Sequence, residues 1–306
     1  MAAVFVTGAS GYIGSVVTRK LREAGHRVAG LARSDASARK LEALGAEAVR
    51  GDLRDPQTWS ARLRQAEAVI HLATEFSADA RRLDRGAIDT VLDALGDSDK
   101  PFLYTSGIWV MGSTGGEVVD ESTPARPISM VAWRPAHEEL VLRAKGLRGI
   151  VIRPAMVYGG DGGFLASVAM APDAQGVVHY VGSGENRWPF VHVDDLADLY
   201  VLALSAAGGS LYFASAGPAI PVKEVARAAA AGGPVASIPL EEARKQMGPL
   251  AEAMVLDQQV SGDKAMRELG WKPSGRTVLE ELAQRGAADV LRRKMKPTIN
   301  TAPRPI

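Results

Sequence analysis

The chain contains no cysteine. Disulfide cross-links, thiolate catalysis and cysteine-ligated zinc are therefore excluded. Histidine is scarce. The five are His26, His71, His137, His179 and His192, and no two stand at the short spacing of a zinc motif. A metal-free protein is the expectation. An excess of either charge is also lacking, with 36 Lys and Arg against 35 Asp and Glu. Such a balance gives no electrostatic reason to expect nucleic acid or an anionic membrane as partner. No apolar run approaches the roughly 18 residues that span a bilayer. The opening MAAVFVTGAS places no basic segment before its apolar stretch. A cytoplasmic protein without a membrane partner is expected.

What is present fits a soluble globular protein. The chain has 306 residues, 46% apolar and 23% charged, ample for a sizeable core. Apolar runs at 3–7, 26–32, 46–50, 68–72, 101–105 and 149–153 read as strands, and 12–24, 36–44, 82–95 and 130–144 have helical periodicity. Repeated β-α-β units imply parallel strands with helices on both faces. Right-handed crossovers then give an α/β fold with a doubly wound, Rossmann-like sheet. The second half is less regular. Residues 157–163 are glycine-rich and loop-like, 194–205 read as a helix, and short helices are expected at 222–231, 241–247, 263–269 and 278–285. The division that follows is a dinucleotide-binding domain over 1–155, to which 189–206 return, a smaller cap from 156–188 and 207–292, and a proline-rich tail at 293–306.

The segment Thr7-Gly8-Ala9-Ser10-Gly11-Tyr12-Ile13-Gly14 leaves the first strand and opens the first helix. Glycine permits the tight turn and lets the backbone approach a pyrophosphate. The free N–H groups and the dipole of the helix start favour its charge. In that context Gly8, Ser10, Gly11, Tyr12, Ile13 and Gly14 are the candidate cofactor cradle. The end of the second strand selects the cofactor. An acid there would hold the ribose 2′-hydroxyl of NAD. The chain has Leu31-Ala32-Arg33-Ser34 instead. Arg33 can pair with a 2′-phosphate through its planar guanidinium, and Ser34 can add a hydrogen bond. NADP(H) is the expected cofactor. Arg39 and Lys40 nearby read as a solvated helix face.

The glycine spacing is G-x-x-G-x-x-G. With it come Gly51-Asp52-Leu53, His71-Leu72-Ala73 followed by Thr74, Tyr104-Thr105-Ser106, Arg153-Pro154 with Val157-Tyr158-Gly159, and Phe190-Val191-His192-Val193-Asp194-Asp195. In this combination the sequence resembles the extended short-chain dehydrogenase/reductase family, the NAD(P)-dependent epimerase/dehydratase family, over about residues 3–285. The resemblance implies that Asp52 and Leu53 lie near the adenine. It implies that Leu72, Ala73, Thr74 and Thr105 flank the cofactor, with Pro154 on the nicotinamide side. It also implies a homodimer through the helices at 82–95 and 130–144.

The resemblance breaks at the catalytic set. The family uses a Ser, a Tyr and a Lys four residues after the Tyr. Aligned on Gly112, Gly107 stands at the Ser position, with Ser106 and Thr105 beside it. Aligned on Glu138 and Leu140, Met130 replaces the Tyr and Arg134 replaces the Lys. Methionine has no proton to give, and arginine keeps its charge. Arg134 can still bind ribose hydroxyls and stabilise developing negative charge. His137, on the helical stripe of Met130 and Arg134, and Tyr158, in the glycine-rich loop, are the candidate proton donors. Ser106, Arg134, Tyr158 and His137 thus form the candidate catalytic set. Asp161 reads as a turn residue, and Glu138 and Glu139 as a solvated face.

The expected activity is NADPH-dependent reduction of a C=O, C=N or activated C=C bond in a small organic substrate, with an atypical active site. A redox-silent NADP(H)-binding sensor is the alternative. Nucleotide-sugar epimerase or dehydratase chemistry comes last, because it needs the missing Tyr-Lys pair.

Overall fold

The run Ala3–Thr7 (β1) is buried along its whole length, as a strand covered on both faces must be. The computed structural model describes residues 1–75, 77–160 and 162–284. From β1 the chain runs through α1 (Tyr12–Glu23), β2 (Arg27–Ala32), α2 (Asp35–Ala43), β3 (Glu47–Arg50), α3 (Ser60–Leu63), β4 (Ala68–His71), α4 (Ala80–Leu95), β5 (Pro101–Thr105), α5 (Arg134–Leu142) and β6 (Arg148–Pro154). The second half holds β7 (Met156–Tyr158), β8 (Val178–Val181), β9 (Arg187–Trp188), β10 (Phe190–His192), α6 (Val193–Ala203), β11 (Ser210–Ala214), β12 (Ile220–Pro221), α7 (Val222–Ala230), β13 (Val235–Ile238), α8 (Leu240–Met247), α9 (Leu250–Met254) and α10 (Asp263–Leu269).

The main sheet has seven parallel strands in the order β11-β6-β5-β4-β1-β2-β3. This is the doubly wound, Rossmann-like architecture, with its topological switch between β1 and β4. Alternation along β1 divides the core. Val4 and Val6 face a layer with Val17, Leu21 and Leu196, whereas Phe5 faces Trp59, Ile88 and Val91. Phe5 and Trp59 stack at 5.8 Å. On α4, Leu83, Ala87, Ile88, Val91 and Leu95 make one buried stripe at helical spacing. Each large side chain on it contributes about 1.5–3 kcal/mol by leaving water.

Two differences from the sequence reading matter for the site. Ser210–Ala214 fall in the range expected for the cap, yet they form the edge strand beside β6. The helix expected at 130–144 begins only at Arg134. Pro135 occupies its first turn, where the missing N–H costs nothing, and Ser129–Val131 form a separate 3₁₀ turn.

A smaller region has its own apolar cluster, including Met170, Trp188, Val225, Ala251 and Met254. It is built on the parallel pair β8–β13, the antiparallel pair β9–β12 and helices α7 to α9. Residues 278–284 are helical. The end of the helix expected at 278–285, the tail at 293–306 and the Asp161 turn lie outside the described residues. Among the described residues no helix is long and apolar enough to cross a membrane.

Candidate active site

The glycine turn is as tight as its sequence demands. Gly8 ends β1 with φ of +70°, and a Cβ there would lie 2.7 Å from the backbone nitrogen of Ala73, just past β4. The N–H of Gly11 donates to the Gly8 carbonyl at 2.9 Å. A Cβ on Gly14 would collide with the Gly8 carbonyl oxygen. No side chain larger than hydrogen fits at Gly8 or Gly14, and the first turn of α1 carries no acidic residue to repel a phosphate. The backbone therefore fits a dinucleotide pyrophosphate. Gly14→Ala is expected to cost about 1–3 kcal/mol of stability and to abolish the thermal shift that a nicotinamide dinucleotide produces. A wild-type shift in the variant would show that the close approach is dispensable.

Two contacts brace the turn. Lys40 reaches back from α2, and its Nζ donates to the Ser10 carbonyl at 2.7 Å. Lys40 is itself exposed, as its reading as a solvated helix face expects. The Tyr12 hydroxyl donates to the Gly159 carbonyl at 2.7 Å, tying the start of α1 to the loop after β7.

At the end of β2, Arg33 points toward Glu75, with Nη1 and Oε1 3.1 Å apart. The Ser34 hydroxyl caps α2 by accepting from the Ser37 N–H at 3.2 Å. Asp52 accepts the Arg54 N–H through Oδ1 at 2.9 Å, and Leu53 packs partly buried against the core.

A cavity of about 660 Å³ opens beside the turn. Of the expected site residues, Tyr12, Ile13, Leu72, Ala73, Thr74, Thr105, Ser106, Arg134 and Pro154 line it. Met130 lines it too, so the Met-x-x-x-Arg pair does face one space although a 3₁₀ turn interrupts the helix. Arg134 Nη1 donates to the Thr105 carbonyl at 3.0 Å and Nη2 to the Thr74 hydroxyl at 3.2 Å. Its guanidinium lies 4.7 Å from the centre of the Trp133 ring. Ser106 Oγ is buried and has no hydrogen-bond partner among the described residues. A buried hydroxyl rarely stays unpaired, so a water or a ligand completes it.

Tyr158 and His137 are not brought to this cavity. The Tyr158 hydroxyl donates to the Arg276 carbonyl at 2.5 Å, inside the cap. Burial, then the nearby Asp195 carboxylate, raises its pKa well above the usual phenol value. His137 is 4% exposed and meets Asp84 Oδ2 through Nδ1 at 2.7 Å. The other oxygen, Asp84 Oδ1, lies 3.5 Å from His71 Nε2, and the Tyr104 hydroxyl donates to Oδ2 at 2.8 Å. Burial alone would raise the Asp84 carboxyl. The hydrogen bond from His137, with the nearby His71 ring and the positive charge of Arg134, overcomes it and holds Asp84 well below the usual carboxylate range. His137 thus belongs to a buried network behind Arg134.

Glu138 and Arg153 form a second buried pair, 2% and 6% exposed, with Arg153 Nε donating to Oε1 at 2.9 Å. The reading of Glu138 as a solvated residue is corrected. His192 caps α6, accepting the Asp194 N–H at 3.2 Å, and Asp195 accepts the Gly275 N–H at 3.0 Å. Both are structural. The sequence reading missed Glu75, Ser77, Arg81, Trp109 and Trp133, which also line the cavity. The only signal was proximity, Trp133 standing next to Arg134.

A model described as the NAD dependent epimerase/dehydratase family matches residues 4–212. An uncharacterized protein of Schizosaccharomyces pombe is 37% identical over 293 residues, covering 92% of this chain and 98% of that one. The 4-hydroxy-2-methyl-3-oxo-4-farnesyl-3,4-dihydroquinoline-1-oxide ketoreductase of Stigmatella aurantiaca is 28% identical over 93% of this chain and 96% of its own. Among solved structures, the dTDP-glucose 4,6-dehydratase DesIV of Streptomyces venezuelae, with NAD and TYD bound, gives a TM-score of 0.78 at 22% identity, covering 95% of this chain and 98% of that one.

Proposed function

Because this chain belongs to the NAD dependent epimerase/dehydratase family, and its relatives include an NAD(P)H azoreductase and a 2-alkyl-3-oxoalkanoate reductase, we propose that it is an NADPH-dependent reductase acting on a C=O, C=N or activated C=C bond of a small organic molecule. One observation carries this reading. Arg134, a permanent cation, and Ser106, a buried hydroxyl in want of a partner, line one cavity beside the dinucleotide turn. The ketoreductase of Stigmatella aurantiaca supports a carbonyl as the reducible group.

The dinucleotide, when bound, supplies the hydride. Gly8, Gly11 and Gly14 would hold its pyrophosphate, and Leu72, Ala73, Thr74, Thr105 and Pro154 would flank it. Arg33 provides the positive charge at the end of the second strand and would select the 2′-phosphate with help from Ser34. As negative charge develops on the substrate heteroatom, Arg134 stabilises it electrostatically. Ser106 Oγ donates a hydrogen bond to the same atom. With the Tyr158 and His137 side chains engaged elsewhere, solvent entering the open cavity supplies the proton. Met130 offers no base to oxidise an alcohol, so the site is suited to reduction and not to transient oxidation of a sugar.

The test is NADPH oxidation against ketones, aldehydes, cyclic imines and enones, with NADH in parallel. Turnover of at least one class, faster with NADPH, is the expected result. Silence across the panel with NADPH demonstrably bound would favour the sensor reading instead.

A further inference from the structure

Three loops at the sheet edge meet around one carboxylate. Arg33 comes from the end of β2, Arg54 from the turn after β3 and Glu75 from the segment after β4. Glu75 Oε1 lies 3.1 Å from Arg33 Nη1, and Glu75 Oε2 lies 2.7 Å from Arg54 Nη2. Each oxygen thus takes a different guanidinium. The Ser77 hydroxyl donates weakly to Oε2 at 3.4 Å. Arg54 also stands 3.6 Å from Asp52 Oδ1. The Glu75 side chain is 24% exposed, against 66% for Arg33 and 43% for Arg54.

Two planar guanidiniums converging on one anion are a recognition device for phosphate, whose oxygens can take several N–H bonds at once. A single carboxylate satisfies this pair incompletely. It brings one negative charge, whereas a phosphomonoester brings about −1.5 to −2 at neutral pH. The hydrogen bond from Arg54, with the charges of Arg54 and Arg33, holds the Glu75 carboxyl below its usual range, so it is ionised at neutral pH. It must leave before a phosphate can take both arginines. A ribose hydroxyl carries no charge and has no means of displacing it.

We propose that Arg33 and Arg54 together form the 2′-phosphate subsite, and that Glu75 is its built-in competitor, an internal anion that NADPH must displace and NADH need not. This inference rests on the NADP(H) reading above. It adds Arg54 as a second phosphate ligand and makes Glu75 the residue that grades the preference between the two cofactors. Exposed ion pairs are weak, so the competition is a modest brake and not a block.

The test is calorimetric binding of NADPH, NADH, adenosine 2′,5′-bisphosphate and 5′-AMP to the full chain. Glu75→Gln is expected to tighten NADPH and the 2′,5′-bisphosphate by about threefold to tenfold while leaving NADH and 5′-AMP unmoved. Arg54→Gln is expected to weaken only the two 2′-phosphorylated ligands, by about tenfold. Both residues sit at the surface, and a wild-type melting curve for each variant confirms folding. Unchanged NADPH affinity in Glu75→Gln would overturn the proposal. So would weakened NADH binding, since it would make Glu75 a ligand of the ribose hydroxyls. Wild-type protein that binds NADH as tightly as NADPH would instead remove the NADP(H) reading on which the inference stands.

Discussion

Replacing Arg134 by alanine is expected to lower kcat/KM for NADPH-dependent reduction by about 10²–10³-fold, the usual penalty for deleting a preorganised stabiliser of developing negative charge. The guanidinium is held from several sides. It donates to the Thr105 carbonyl and the Thr74 hydroxyl, approaches the Tyr104 oxygen at 3.4 Å and lies over the Trp133 ring. Tyr104 in turn donates to the buried Asp84 carboxylate. The charge is therefore fixed before any substrate arrives, and fixed charge in a partly dry cavity stabilises more than a mobile one. Lysine at the same position keeps the charge but loses the planar fork, so Arg134→Lys should recover only part of the rate. Steady-state kinetics on a substrate found in the panel, with NADPH affinity measured separately, would check this. A loss confined to KM or to cofactor affinity, with kcat intact, would show that Arg134 only holds ligands in place.

The parts of this site that were legible in the sequence are those fixed by backbone sterics. A strand, a G-x-x-G-x-x-G turn and a helix can close in few ways, and the turn closes as expected, with Gly8 and Gly14 in contact. The alternation of apolar runs likewise shows a parallel sheet, because buried strands read as continuous apolar segments. What was not legible depends on which way a side chain turns. Met130, Arg134 and His137 share a stripe on an ideal helix, but the helix starts at Arg134, and His137 turns inward to Asp84. Tyr158 closes strand β7 and does not lie in the glycine-rich loop, and its hydroxyl is drawn to the Arg276 carbonyl, 118 residues away. Ser210–Ala214 was missed because five apolar-rich residues after a Gly-Gly pair look the same at a sheet edge as in a cap. Glu75 and Arg54 met only through tertiary packing, and no spacing rule relates residues on separate loops.

The second large effect concerns stability. Glu138→Ala is expected to destabilise the fold by about 3–5 kcal/mol, because it strands a buried arginine without its counter-charge. Arg153 is 6% exposed and gives two parallel bonds to Glu138, at 2.9 and 2.5 Å. Among the described residues its side chain also approaches the Met111 sulfur at 3.2 Å and the Phe213 ring at 5.6 Å. Neither replaces a carboxylate. The pair joins α5, which carries Arg134, to β6, which ends at the cavity residue Pro154. Its loss should therefore loosen the site as well as the core. Chemical denaturation would read the effect as a shift in midpoint. The double variant Glu138→Leu with Arg153→Met is expected to recover most of the loss, since replacing both charges with apolar groups removes the desolvation penalty together with the attraction. An unfolding free energy for Glu138→Ala within about 0.5 kcal/mol of wild type, the range of a surface substitution, would mean that water reaches Arg153 and that the pair is not the clamp between α5 and β6.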